Sequence, residues 1–349
     1  MSVFTWETPT AGATACDAAQ PFEVHREPFE RRGRGIEAHG IREALERWRP
    51  DVAFVSGGSG AVCKIVHAAA RCLPVAVSVH DLRDKASDRG RLGRWRVRRR
   101  YGFDRAARIT ANSQHTRSRL IDLGVTPKRV SIVHPGVDTA RFVPDRAAGE
   151  RIRRELGLAR HRILLTVSRL APHKGHERVL RTLPRLRERV PDLVYLIVGQ
   201  GEMRERLERR GAELGVGEML RFAGQVADVR GYYNACDAFA MPSMPTGRRK
   251  KAGEGFGMAY VEAGACGKPV VASSSGGGSE IVLDGETGRV VDPDDDDGLE
   301  SALLGLLTRP EWAHALGEKA RERVQRYDWS RGVAELERVL REAAGAEER

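Results

Sequence analysis

The sequence predicts an α/β protein of two doubly wound domains, each a parallel sheet flanked by helices, facing each other across a cleft. Three observations carry that prediction. From Asp51 onward, short apolar runs alternate with helix-periodic segments, the pattern of parallel strands joined by crossover helices. The alternation runs twice, interrupted by a Pro- and Gly-rich stretch, HPGVDTARFVPDRAAG, at residues 134–149. A chain of 349 residues is also too long for one ordinary core and suits two domains.

Residues 1–35 show little periodicity and resist assignment. DVAFV then reads as a buried strand, SGGSG as a turn, and residues 61–72 as a helix. PVAVSV is the next strand and ends at His80. Beyond a very basic segment come RITAN, a helix over SQHTRSRLIDLG, and the strand RVSIVH. Residues 134–149 are read as the linker. The second series is RILLTVS, DLVYLIVG, MLRFAG, DAFAMPS, PVVASS and GRVV, with a helix after each of the first four, and charged helices close the chain. The predicted division is an N-terminal domain at 1–145, a C-terminal domain at 150–328, and a closing helix at 329–349.

Composition narrows the class. Hydrophobic residues make up 41% and charged residues 31%, which excludes a disordered chain. The formal net charge of +11 is mostly arginine and favours acidic partners. Cys16, Cys63, Cys72, Cys236 and Cys266 are odd in number, and no two are spaced as a C-x-x-C pair, so free thiols in a reducing compartment are expected. No apolar run approaches the length of a membrane span, and MSVFTWETPTAGATACDAAQ lacks the pattern of a signal peptide. The expectation is a cytoplasmic protein.

In open α/β sheets ligands sit at the carboxyl ends of the strands, so the loops there should carry the chemistry. VSRLAPHKGHERVL places Arg169 and Lys174 just past a strand, where two cations suit a diphosphate. VGQGEMRERL supplies a G-x-G turn at Gly199 and Gly201, which lets backbone approach a ligand but alone is equally a plain tight turn. GEGFGMAYVEAGACGKPVVAS opens a helix expected over residues 256–266, with Glu254 and Glu262 bracketing its start. The unpaired amides and positive dipole there suit an anion, and carboxylates accept from sugar hydroxyls. Eight residues of helix span about 12 Å, the scale of a nucleotide sugar. Read singly, each of these is matched by a structural role, such as a capping or a helix-surface glutamate.

Taken together, Arg169, Lys174, Glu254, Glu262 and GGGSEIVLDGETGRVVDP resemble the retaining GT-B glycosyltransferases of family four, which include bacterial mannosyltransferases and sucrose-synthase-like enzymes. The resemblance runs from Asp51 to the C-terminus and is densest over residues 167–293; HPGVDTARFVP resembles the family's interdomain junction. It implies the GT-B fold, with the closing helix packing back on the N-terminal domain. It further implies transfer of a hexose-type sugar from a nucleotide diphosphate sugar to a hydroxyl acceptor with retention, in cell-envelope or exopolysaccharide synthesis. By that resemblance Arg169 and Lys174 hold the donor diphosphate, Glu254 contacts the sugar hydroxyls and Glu262 the ribose. Gly255, Phe256, Gly257 and Met258 offer backbone amides to sugar and phosphate. The main chain at Val226 contacts the nucleobase, Gly199 lies on the donor side, and His80 sits beside the transferred sugar. No metal or other cofactor is expected, and DPDDDD reads as a solvated turn and helix cap rather than a divalent-ion site.

Two features depart from the pattern or exceed it. VFTWETPTAG reads like the second strand of such a domain, with the first strand and its glycine-rich loop missing. The other is the basic segment opening at Arg89 and closing at Arg108, RGRLGRWRVRRRYGFDRAAR. Either it rests on an anionic membrane through Trp95, Tyr101 and Phe103, bringing a lipid-linked acceptor to the site at the inner face of the cell membrane, or it is a solvated helix with its aromatics turned inward. No nucleic-acid motif accompanies the charge. The alternatives to transfer are a sugar-nucleotide epimerase on the same fold and a catalytically silent nucleotide- or membrane-binding protein.

Overall fold

The computed structural model describes residues 2–6, 23–27, 31–32, 35–36, 41–56, 66–67, 69–80, 90–245 and 253–345. Strands β1 (Ser2–Trp6) and β2 (Glu23–Glu27) pair in parallel, and β3 (Arg31–Arg32) with β4 (Gly35–Ile36) antiparallel. The VFTWETPTAG stretch thus begins as a strand, in a small sheet of its own. After α1 (Ile41–Trp48) comes a parallel sheet of β5 (Ala53–Ser56), β6 (Val75–Val79), β7 (Arg108–Ala111) and β8 (Val130–Ile132), in that order. Helices α2 (Gly90–Tyr101) and α3 (Gln114–Asp122) connect its later strands. Half of the helix expected over 61–72 lies outside the described residues, as do Cys16, Cys63 and Arg89.

The predicted linker is shorter than expected. Asp145 accepts a hydrogen bond from the Ala148 amide at 2.9 Å and caps α4 (Arg146–Glu155), so the last residues of 134–149 are helical. The C-terminal series then follows as β9 (Arg162–Val167), α5 (His176–Arg189), β10 (Leu193–Val198), α6 (Arg204–Glu213), β11 (Leu220–Gly224), α7 (Arg230–Ala235) and β12 (Ala238–Met241). It is completed by α8 (Met258–Ala265), β13 (Val270–Ser273), α9 (Gly278–Ile281), β14 (Gly288–Val291), α10 (Asp296–Thr308), α11 (Pro310–Val324) and α12 (Trp329–Ala343).

The strand order is β11-β10-β9-β12-β13-β14, all parallel. Numbered along the domain this is 3-2-1-4-5-6, the doubly wound order, with its switch point between β9 and β12. Alternation along buried strands feeds two cores: Leu164, Tyr195 and Ile197 pack on one face, and Ile163, Leu165, Val194 and Leu196 on the other. That two-sided burial explains the continuous apolar runs in the sequence.

The two sheets are tied where the chain crosses twice. Val137 exchanges backbone hydrogen bonds with Tyr327 and Trp329 at 2.9 and 3.0 Å, and Thr139 donates to Asp328 at 2.6 Å. Gly136 is required there, since a Cβ would lie 2.1 Å from the Trp329 Cα. From that crossing α12 packs back on β6 and β7, and Arg108 pairs with Glu342 at 3.3 Å.

Helix α2 divides the aromatics of the basic segment. Phe103 is core and Tyr101 stacks on it, so Phe103 cannot be a surface contact. Leu92 and Trp95 are 57% and 42% exposed beside Arg91, Arg96 and Arg99. Among the described residues, no helix is long and apolar enough to cross a membrane, and no group of three His, Cys, Asp or Glu could hold a metal ion. Asp295 caps α10, and Asp296 accepts from Arg178 and Arg181, so these acids of the DPDDDD run have helix-capping and pairing roles.

Candidate active site

The switch point gathers the residues of two separate loops. The loop after β9 carries Arg169 and Lys174; the chain after β12 returns with Glu254. Lys174 Nζ lies 2.5 Å from Glu254 Oε2, joining side chains 80 positions apart, both largely buried. Sequence reasoning assigned these two to different parts of a donor; the structure makes them one ion pair. Ser243, fully buried, donates weakly to the same carboxylate oxygen at 3.4 Å. Arg169 is exposed, and its guanidinium has no hydrogen-bond or ion-pair partner among the described residues.

A buried polar chain holds the loop that bears these cations. Ser168 Oγ, His176 Nε2 and Nδ1, Tyr195 Oη and Thr166 Oγ1 are linked by contacts of 3.0, 3.0 and 2.9 Å, ending where Thr166 donates to the Ala240 carbonyl at 2.5 Å. Burial pushes the His176 imidazole down to about 4, so it is neutral at pH 7. With Thr166 donating to Ala240, Tyr195 can donate to Thr166 and His176 Nδ1–H to Tyr195, leaving His176 Nε2 an acceptor beside Ser168 Oγ, whose one proton is shared between that nitrogen and the Arg169 carbonyl 3.1 Å away. Gly199 and Gly201 serve the same loop. A Cβ at Gly199 would lie 1.9 Å from the Ser168 carbonyl, and one at Gly201 would lie 2.4 Å from that of Leu170.

The helix opening at the site begins later than expected. Gly257 has φ +101°, a left-handed value outside an α-helix, so α8 starts at Met258 rather than Phe256. Glu254 therefore precedes the helix, and a purely helical rise does not give its distance from Glu262. The amides of Gly257, Met258 and Ala259 have no acceptor among the described residues. The Phe256 ring is buried, stacked on His134 and edge-on to Tyr327, so at that position only backbone faces the site. Glu262 lies on α8 and receives a 2.6 Å hydrogen bond from Tyr233. Val226 is half-buried past the end of β11.

The N-terminal sheet reaches this site at its own strand ends. A Cβ on Gly255 would come 2.2 Å from the His80 carbonyl, which accepts from Asn112 at 2.8 Å. The His80 ring lies 3.1 Å from Ser56 Oγ, and burial lowers its pKa, keeping it neutral at pH 7. Buried Ser113 donates to the Gly255 carbonyl at 2.6 Å. Glu280 accepts from the Gln114 and His115 amides, each at 2.7 Å. The N-terminus of α3 is thus filled by a carboxylate from the opposite domain, whereas that of α8 has no such partner among the described residues. Sequence reasoning missed Asn112, Ser113 and Glu280; the signal available was Ser113 as a helix cap, which says nothing of a partner across the cleft.

Comparison with known proteins places this geometry. The family model Glycosyl transferases group 1 matches residues 149–323, and Glycosyltransferase Family 4 matches residues 2–141. The chain belongs to the glycosyl transferases group 1 family. Among sequence relatives in that family, a GDP-mannose-dependent alpha-(1-6)-phosphatidylinositol monomannoside mannosyltransferase of Mycolicibacterium smegmatis is 41% identical over 245 residues, covering 69% of this chain and 64% of the relative. A protein of the same description from Mycobacterium tuberculosis is 36% identical, covering 67% and 61%. These matches span less than two-thirds of the relatives' own lengths. Among solved structures, Anabaena Alr3699/HepE in complex with UDP has a TM-score of 0.78 at 20% identity, covering 98% of this chain and 99% of that one. A sucrose-phosphate synthase from Thermosynechococcus elongatus has a TM-score of 0.72 at 23% identity, covering 88% and 77%. The group 1 chain therefore has the GT-B fold, with its closing helix over the N-terminal sheet.

Proposed function

We propose that the chain transfers mannose from GDP-mannose to a hydroxyl of an inositol-lipid acceptor, with retention of configuration. The observation that carries the reading is the Lys174–Glu254 pair at the switch point, beside unpartnered Arg169 and the open amides of α8. Two cations and a helix N-terminus suit a diphosphate, and a carboxylate beside them suits sugar hydroxyls. Relatives at 36–41% identity support guanine, mannose and an inositol lipid.

In this reading Lys174 moves from Glu254 onto the diphosphate as the donor binds, and Glu254 turns to the sugar hydroxyls. Arg169 and Lys174 stabilise charge on the departing nucleotide. The acceptor oxygen bonds to the anomeric carbon as the bond from that carbon to phosphate oxygen breaks. The acceptor's proton passes to the leaving diphosphate on the same face, so configuration is kept. His80 and the main chain at Gly255 border the sugar, Glu262 takes the ribose, and the main chain at Val226 takes the base. No step needs a metal ion, so EDTA should leave transfer unchanged.

The exposed Leu92–Trp95 face of α2, flanked by Arg91, Arg96 and Arg99, supports docking on anionic lipid, which delivers the acceptor. Incubation with GDP-mannose and phosphatidylinositol mannoside in anionic vesicles tests the reading. GDP release with an α-linked product on the lipid is expected. Nucleotide binding without release would mark a silent protein, and a changed sugar without acceptor an epimerase.

A further inference from the structure

Glu262 is a half-buried acid with much of its hydrogen-bonding capacity unspent. Its carboxylate has one partner among the described residues, the Tyr233 hydroxyl 2.6 Å from Oε2, and no cation. Burial raises its pKa, and the Tyr233 hydrogen bond opposes that rise. Tyr233 is fully buried, with ring centroids 6.3 Å from Phe142 and 5.7 Å from Phe239. Burial, then the charge of Glu262, push its phenol well above the usual range, so it keeps its proton and always donates. A carboxylate so placed costs free energy until further donors reach it.

We infer that Tyr233 is a positioning residue for sugar-ring recognition on the nucleotide: by anchoring Glu262 through Oε2 it reserves Oε1 for the vicinal hydroxyls of the ribose. The inference rests on reading Glu262 as the ribose contact. It has two consequences. The site selects ribonucleotides over deoxyribonucleotides because Oε1 is held in one orientation. The hydrogen bond also keeps Glu262 ionised to lower pH than burial alone would allow, which extends nucleotide binding on the acid side.

The test measures binding of GDP, 2′-deoxy-GDP and 3′-deoxy-GDP to the full chain across pH 4–8. The wild type and the Glu262→Gln, Tyr233→Phe and 3-fluorotyrosine-233 variants are compared, with melting temperatures. A hydrogen bond to a charged group sets the scale at about tenfold for ribose preference in the wild type. Tyr233→Phe should keep its fold, reduce that preference to about twofold to threefold, and move the acid limb of binding to higher pH. Fluorotyrosine, a stronger donor of nearly the same size, should move the limb the other way and serves if the phenylalanine variant misfolds. Unchanged preference and limbs in both variants would overturn the role of Tyr233. So would equal losses for all three nucleotides, which would mark a structural residue. Wild-type protein indifferent to the deoxy forms, with Glu262→Gln silent, would instead overturn the ribose reading, and the inference with it.

Discussion

Glu254 and Glu262 stand eight positions apart in the sequence yet occupy opposite electrostatic settings. Glu254 sits before the helix, in a backbone bridge to Gly276, against the Lys174 ammonium. Glu262 sits within the helix, against a neutral phenol, with burial raising its pKa. The contrast shows that identical side chains near one site can be prepared for different work. In the proposed reading the first exchanges a cation for a ligand, and the second keeps its donor and accepts further ones.

The comparison breaks most visibly at the ion pair. Lys174→Ala and Glu254→Ala should each lower transfer a hundredfold or more, about 3 kcal/mol per transition-state contact, measured as kcat/KM with saturating lipid acceptor. Near-wild-type rates in both would remove the pair from the site. A double-mutant cycle with Lys174→Met and Glu254→Gln, read by urea unfolding, should give a coupling of roughly 1.5 kcal/mol, because each single change strands a largely buried partner. Additive losses would mean that the pair is not formed in solution.

Glu262 should respond differently. Glu262→Gln is expected to weaken GDP binding about tenfold, the worth of hydrogen bonds to a charged acceptor, while leaving stability nearly intact. The sign of its pH dependence follows from burial. Ribose hydroxyls donate best to the ionised form, so affinity is full above the raised pKa and falls as pH drops through it, starting higher than for an ordinary carboxylate. Glu262→Gln should flatten that limb in calorimetric titrations. The smallest effect is expected at Val226→Ala, within about twofold on GDP affinity, because its role is a main-chain one that an alanine keeps. A larger loss there would assign the side chain to the base.

The C-terminal domain is legible because strands buried on both faces leave unbroken apolar runs, as LVYLIV does, and loops at their carboxyl ends then locate Arg169, Lys174 and Glu254. Less legible is what depends on distant partners. No local pattern tells that Lys174 meets Glu254, that Tyr233 meets Glu262, or that Glu280 caps a helix of the other domain. The start of α8 is not legible because a glycine's φ sign at Gly257 is set by the fold around it. The basic segment was ambiguous because helical periodicity does not say whether Trp95 or Phe103 turns inward.

The central claim is that the switch-point pair receives the donor's diphosphate. Calorimetric titration of GDP into the wild type and Lys174→Ala, each with and without EDTA, tests it most directly. Micromolar binding by the wild type, indifferent to EDTA and lost in Lys174→Ala, is the predicted result. Equal GDP affinity in the two proteins would contradict it.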